Sequence, residues 1–373
     1  MSSPGFLKTF RVLDLSQFIP GPFATQVLAD MGADVLKVEP LSGDPIMNLD
    51  AILKSKISSS IYNKVNSGKR ILRIDLKTYN GRECLKNLIC TADILLESYR
   101  PGVMTRLGFD YPSVKKLNDQ IIYCSLSGFG QTGPCAKRTG HDINYLAMTG
   151  ALSVNGPSHT PLPPFPPITD YGGAMHAANS ILGALVRRLT IGNGAYLDIA
   201  MADVILTWQA YALSTLENGK DKKRELSRES HLLNGGAACY NVYKTQDSKF
   251  ISLGAVEKKF WTNFCKSVKR LDWVERQGDP FPQLSLISEV AKMIASQNLH
   301  EWDTLLGQVE CCYHPVLRYN ELHKWPQIKN RKVISYDNGQ FAMNSATWID
   351  NMPPCARAPV KVVSSQEAIT QWK

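Results

Sequence analysis

The stretch from residue 11 to residue 39, RVLDLSQFIPGPFATQVLADMGADVLKVE, decides the fold class. RVLDL at 11–15 is a short apolar run of strand type, and Pro20-Gly21-Pro22 breaks it. FATQVLADMGA then places Phe23, Val27 and Leu28 at helical spacing and stops at Gly32. DVLKVE at 34–39 reads as the next strand. Strand, helix and strand in such quick succession predict parallel pairing with a right-handed crossover.

The alternation repeats along the chain. ILRIDL at 71–76 is a strand, GRECLKNLICTA a helix, and DILLES at 93–98 a strand. A helical stretch follows near Pro112–Asn118, and IIYCSLS at 121–127 is a strand ending in Gly128-Phe129-Gly130. The pattern predicts the α/β class: a Rossmann-like open parallel sheet with ligands at the carboxyl ends of its strands. A helix over 173–189, a strand AYLDIA at 195–200 and one long helix over 201–217 are expected next. The charged segment 218–234 marks a boundary. Beyond it, CYNVYKT and KFISLGA read as strands joined by a turn at 246–248, and helices follow near 258–270, 284–297 and 299–308. Strand-like pieces after Pro326 are expected to return to the first domain. The expected organisation is thus a large domain, 1–217, with a linker helix at 201–217, a small α/β domain, 218–325, and a C-terminal return, 326–373.

Composition narrows the function. With 373 residues, 44% hydrophobic and 20% charged, the chain reads as an ordinary globular protein of two domains. No apolar run is long enough to span a membrane, MSSPGFLKTF lacks an apolar signal region, and ITQWK is no peroxisomal address. The nine cysteines form no CxxC pair, which predicts reduced thiols in an intracellular protein and no zinc site; mitochondrion, peroxisome and cytoplasm are not distinguished. The net charge of +9 is dispersed and no nucleic-acid-binding motif accompanies it. A polyphosphate ligand such as a nucleotide or coenzyme A fits that balance better than nucleic acid.

The stretch from Gly140 to Asp170 carries the candidate chemistry. His141 precedes Asp142 at the start of an expected helix, DINYLAMTGAL. A helix start biases a histidine towards the neutral form a base needs, and its free N–H groups suit an oxyanion. The alternative is a capping Asp142 with an incidental histidine beside it. Asp170 stands before Gly172-Gly173, where a ligand can approach the backbone, or else it is the N-cap of the next helix. Glu257 lies between KFISLGAV and a helix. Lys69, Arg70 and Arg100 sit beside loops at strand edges, as phosphate contacts or as solvated surface. HExxH, P-loop and GxSxG motifs are absent, and GFGQTGP matches a phosphate loop only loosely.

Over nearly its whole length the chain resembles the family III coenzyme A transferase superfamily. The carrying pieces are the opening stretch, NSGKRILRIDLK, DILLESYRPGVMTRLG, SLSGFGQTGP, NGGAACYNVYKTQDSKFISLGAVEKKFW and the YHPV around His314. GHDINYLAMTGAL, ITDYGG and GAVEKKFW make it similar to the branch of α-methylacyl-CoA racemases. The resemblance implies an interlocked homodimer of a Rossmann-like large domain and a small α/β domain. It implies that His141 and Asp170 are the two bases, with Glu257 supporting the histidine. Coenzyme A, as part of an acyl-CoA substrate, is expected at Lys69, Arg70 and Arg100, with Gly140 and Asp142 beside it. The implied reaction inverts the α-methyl centre of a 2-methylacyl-CoA thioester by two-base proton transfer, with no metal or redox cofactor. The alternative within the superfamily is a transferase that moves coenzyme A between carboxylic acids through an aspartyl intermediate at Asp170. One departure from the racemase pattern is Glu39-Pro40-Leu41, where Asp-Arg-Pro is frequent.

Overall fold

The computed structural model describes residues 5–54, 57–217, 226–337 and 339–372. The chain divides into two compact units. The first comprises residues 1–149, 166–207 and 323–373, and the second residues 150–165 and 208–322. The expected boundary at 218 falls at residues outside those described.

In the first unit, β1 (Arg11–Leu15), β2 (Asp34–Glu39), β3 (Arg70–Arg73), β4 (Ile94–Glu97), β5 (Ile122–Ser127) and β6 (Ala195–Ala200) lie in one sheet. The second unit holds β7 (Tyr240–Lys244), β8 (Phe250–Gly254) and β9 (Tyr313–Pro315). After the chain returns come the hairpin β10 (Ile334–Asp337) and β11 (Gln340–Met343), and then β12 (Lys361–Val363). The large sheet runs β12-β3-β2-β1-β4-β5-β6, every neighbouring pair parallel. Its far edge is therefore supplied by the C-terminal residues, paired to β3 from Lys361↔Arg70 to Val363↔Leu72.

Alternation along each strand splits the interior in two. Val12, Val35, Ile94, Leu96, Ile122 and Cys124 face one core. Leu13, Leu15, Leu36, Leu95 and Tyr123 face the other. Successive side chains of a strand point to opposite faces, so these continuous apolar runs need cover on both sides. The helices Pro20–Asp30 and Ile168–Ile191 cover the first face through Ala24, Leu28, Ala174 and Ala178. The helices Tyr79–Ile89, Tyr111–Leu117 and Ser365–Trp372 cover the second through Leu85, Val114 and Trp372. Each fully buried leucine contributes roughly 2 kcal/mol, against roughly 1 kcal/mol net for a ladder hydrogen bond, so burial dominates in holding the sheet. Gly173 lets the long helix close on its neighbour, because a Cβ there would lie 2.5 Å from Met201 Cγ.

The strand order reverses at β1. The chain builds β2 and β3 on one side of it and then crosses to β4, β5 and β6 on the other. In open parallel sheets such a switch point leaves a crevice at the carboxyl ends of the two central strands. The loops after β1 and β4 meet there, where the Gln17 backbone N–H donates to Ser98 Oγ at 3.0 Å.

Two helices differ from their expected extents. The helix expected over 173–189 begins at Ile168, so Asp170 lies inside its first turn and Pro167 takes the cap position. The helix expected over 201–217 is two helices, Met201–Thr207 and Ala210–Glu217, broken where the chain leaves the first unit. At the break, Thr207 Oγ1 donates back to the Val204 carbonyl at 2.6 Å. Such back-bonding by threonine competes with the helical ladder.

In the second unit, β7, β8 and β9 form an antiparallel sheet, turning at Ser248 with a left-handed φ of 59°. Its core gathers Trp261, Phe264, Trp273, Leu286 and Trp302, all but fully buried. The expected hairpin and the three expected helices are present, as Lys258–Ser267, Leu284–Ile294 and Leu299–Leu306. No helix among the described residues is long and apolar enough to cross a membrane.

Candidate functional site

A cavity of about 690 Å³ opens in the first unit at the switch point. Gln17 and Phe18 line it from the loop after β1, Ser98, Tyr99 and Arg100 from the loop after β4, and Gly140, His141, Tyr145 and Asp170 from the two helix starts beyond β5. The structure thus brings four sequence-identified residues, Arg100, Gly140, His141 and Asp170, to one cavity.

His141 is the cap residue of the helix Asp142–Met148, with extended backbone (φ −126°). Its N–H donates to Asn144 Oδ1 at 3.0 Å, and its carbonyl accepts from the Asn144 N–H at 2.8 Å. The backbone is pinned in both directions while the imidazole stays exposed. The Phe18 ring stands edge-to-face to that imidazole, 6.4 Å between centroids and 83° between planes. Tyr145, one turn on, is buried and donates its hydroxyl to the Gly140 carbonyl at 2.6 Å. Its ring fits because Gly128 and Gly140 lack side chains: a Cβ would lie 2.4 Å from Tyr145 Cε1 at Gly128 and 2.9 Å at Gly140. The first glycine of GFGQTGP and the glycine that precedes His141 therefore admit a tyrosine.

Asp170 is held by a residue from the other helix. Asp142 Oδ1 accepts the backbone N–H of Thr169 at 2.6 Å and of Asp170 at 3.1 Å. Asp142, expected beside coenzyme A or as a cap of its own helix, instead caps the helix that carries Asp170. Burial, and then the neighbouring Asp142 carboxylate, push the Asp170 carboxyl up to about 7. A carboxyl near neutrality both accepts and releases a proton at working pH. Burial, Asp170 and Asp142 likewise push the Tyr145 hydroxyl up to about 12, and the Arg100 charge opposes them.

Lys69 and Arg70 lie elsewhere, and their expected phosphate role is corrected. The Lys69 side chain has no exposed surface. Its Nζ pairs with Asp14 Oδ2 at 3.2 Å and donates to the Pro22 carbonyl at 2.7 Å, Thr25 Oγ1 at 2.8 Å and Asn66 Oδ1 at 2.9 Å. A buried ammonium with all its donors engaged has none left for a ligand. Burial would raise Asp14, but Lys37, Lys69 and the hydroxyls of Ser16 and Thr25 hold it at about 2. Arg70 opens β3 at its amino end, away from the carboxyl ends where ligands gather. It makes a two-pronged pair with Asp34, at 2.6 and 3.1 Å, and also bonds Gln371. Glu257 lies in the second unit as the exposed cap residue of Lys258–Ser267, its carbonyl accepting the Phe260 and Trp261 N–H groups.

Sequence reasoning missed Gln17, Phe18 and Tyr145. The available signal was positional, because the loop after the first strand of an open parallel sheet flanks the switch point. Phe18 carries a second mark, a left-handed φ of 63°. A bulky residue holding that conformation costs about 1–3 kcal/mol, and such strain clusters at functional sites.

The profile of CoA-transferase family III matches residues 7–362. The chain belongs to CoA-transferase family III. Among relatives in this family, it is 34% identical to human alpha-methylacyl-CoA racemase over 93% of its own length and 87% of that protein's. It is 30% identical to human succinyl-CoA:glutarate CoA-transferase, over 88% and 75%. A crystal structure of a CAIB/BAIF family protein from Brucella suis superposes with a TM-score of 0.80 at 22% identity, covering 98% of each chain. The family thus holds relatives of both activities at near-equal similarity, and the superposition shows that the Brucella protein shares this chain's fold.

Proposed function

We propose that this protein is an acyl-CoA racemase that inverts the α-methyl centre of 2-methylacyl-CoA thioesters. The observation that carries the reading is that His141 and Asp170 line one cavity, with Asp170 poised near neutrality. The hydrogen α to a thioester carbonyl is weakly acidic, so its removal needs a positioned base, and inversion needs a donor on the opposite face. In this reading one residue takes the α-hydrogen as an enolate forms, and the other returns a hydrogen to the opposite face. The roles exchange with direction. Asp142 and Ile143, the first two residues of the helix after His141, have no acceptor within that helix for their N–H groups, which suits an enolate oxygen. Arg100 is assigned to the coenzyme A phosphates. Coenzyme A enters as part of the substrate, and these steps call on no further cofactor.

A homodimer belongs to the proposal, with Glu257 of the partner subunit supporting His141. Co-refolding inactive Glu257→Ala and His141→Ala chains should restore part of the activity. Proven heterodimers without recovery would reject the arrangement.

The competing reading is a transferase with Asp170 as nucleophile, and the transferase relatives keep it in view. A carboxyl raised to about 7 is half protonated at neutral pH, which serves proton transfer better than nucleophilic attack. Incubation with a chiral 2-methylacyl-CoA in D₂O separates the two. A racemase exchanges the α-hydrogen for deuterium from either enantiomer without an acceptor acid, and His141→Ala abolishes inversion. Turnover that requires an acceptor acid, shows no α exchange and yields an aspartyl adduct trapped by hydroxylamine would establish the transferase.

A further inference from the structure

We propose that Phe18 is a positioning residue for the His141 ring, and that the buried Lys37–Asp44 pair sets Phe18. Phe18 adopts a φ of 63° between Gln17 and Ile19, and nothing in that local sequence favours the left-handed region. Glycine takes this region freely, as Gly43 does at φ 81° in the neighbouring loop. A phenylalanine there implies that its ring is wanted where the strained backbone puts it. That place is the cavity wall, edge-to-face to His141, with 39% of the residue still exposed.

The strained turn is clamped from two sides. The Gln17 N–H goes to Ser98 Oγ at 3.0 Å, and the Phe18 N–H to Asp44 Oδ1 at 3.2 Å. Asp44 is fixed in turn. Its Oδ1 also accepts the Ile46 N–H at 2.9 Å, and its Oδ2 lies 3.0 Å from Lys37 Nζ. Lys37 Nζ donates to the Ser16 carbonyl at 2.6 Å. Neither side chain of the pair is exposed to solvent. A buried ion pair is weak evidence for stability, because well-packed apolar residues often do as well or better. What this pair adds is geometry: both charges end on the backbone of Ser16–Phe18.

The test uses the full-length protein and two readouts. The first is the rate of carbethoxylation of His141 by diethyl pyrocarbonate, followed by mass spectrometry. The second is α-deuterium exchange of a 2-methylacyl-CoA; only this arm rests on the proposed reaction. Phe18→Gly removes the ring and suits the left-handed backbone, so the variant should melt at the wild-type temperature or above. Its His141 should react about 5-fold faster or more, and kcat should fall about 10- to 100-fold with KM within about 3-fold, the scale of misplacing a reacting group. Phe18→Tyr should restore both. The double variant Lys37→Met/Asp44→Leu should fold and reproduce the Phe18→Gly reactivity. If Phe18→Gly does not fold, Phe18→Leu, which keeps bulk without a ring, carries the same comparison. Unchanged His141 reactivity would overturn the proposal, and so would a rise in KM alone, which would make Phe18 a substrate contact. A wild-type protein without α exchange would sink the reaction and leave the reactivity arm to decide the positioning.

Discussion

Asp142 Oδ1 accepts the backbone N–H of Asp170 at 3.1 Å, while the charge of the same carboxylate, second to burial, raises the Asp170 side chain. One residue thus holds the proposed base in place and tunes its proton affinity. Asp142→Asn separates the two effects, because it keeps an oxygen for the N–H groups of Thr169 and Asp170 and removes the charge. Asp170 should then titrate below about 7 but above the ordinary 3.8, since burial remains. For the enantiomer whose α-hydrogen faces Asp170, the acidic limb of the pH–rate profile should move to lower pH. An unmoved limb with intact structure would refute the coupling. Asp142→Ala should cost about 1–2 kcal/mol as well, by uncapping the helix Ile168–Ile191.

Asp170 itself should destabilise the fold at neutral and alkaline pH. Its folded value of about 7 lies above the ordinary 3.8, so the folded chain holds this proton more tightly than the unfolded chain does. That contribution is complete below about pH 4 and is lost as pH rises through about 7. Asp170→Asn does not titrate. Its stability relative to wild type should therefore climb between pH 4 and 7 and level off above, by up to about 4 kcal/mol. Urea midpoints at pH 4.5 and pH 8 measure the difference. An equal change at both pH values would reject the burial argument.

These two residues also show what the sequence made legible. Short apolar runs alternating with helical stretches implied a parallel sheet, and all six early strands lie in it. GHDINY and ITDYGG pointed to His141 and Asp170, which line one cavity. What stayed hidden depends on partners distant in the chain. The helix carrying Asp170 starts five residues early because Asp142, 28 residues back from Asp170, supplies its cap. Lys69 reads as a phosphate contact or a solvated cation, because its ion partner Asp14 is 55 residues away in the chain. Phe18 carries no local sign of its left-handed backbone, because the groups that enforce it come from the loops after β2 and β4.

Lys69 should therefore matter for folding rather than for substrate. Lys69→Met would leave Asp14 buried beside Lys37 without its second cation, and removing one partner of a buried pair costs about 3–5 kcal/mol. Adding Asp14→Asn should recover part of that loss. Thermal denaturation of the single and double variants measures both. In the folded double variant KM for acyl-CoA should stay within about 2-fold of wild type, and a selective rise in KM would return Lys69 to the ligand.

Arg100 is the cation we assign to the coenzyme A phosphates. It follows β4 at the switch point, ahead of Pro101 and of Gly102 at φ 88°, and its exposed side chain lines the cavity of His141 and Asp170. No carboxylate among the described residues lies within ion-pair distance of it, in contrast to Arg70, Arg188 and Arg357. An arginine without a protein anion keeps its planar donor fork for phosphate. Arg100→Ala should raise KM for acyl-CoA about 10-fold and change kcat little, because phosphate binding lies far from the α-carbon. Salt screens such a contact, so the rise of KM with ionic strength should be shallower in the variant than in wild type. Arg100→Lys keeps the charge without the fork and should fall between the two. Equal KM values for wild type and Arg100→Ala at both low and high salt would remove Arg100 from the substrate site.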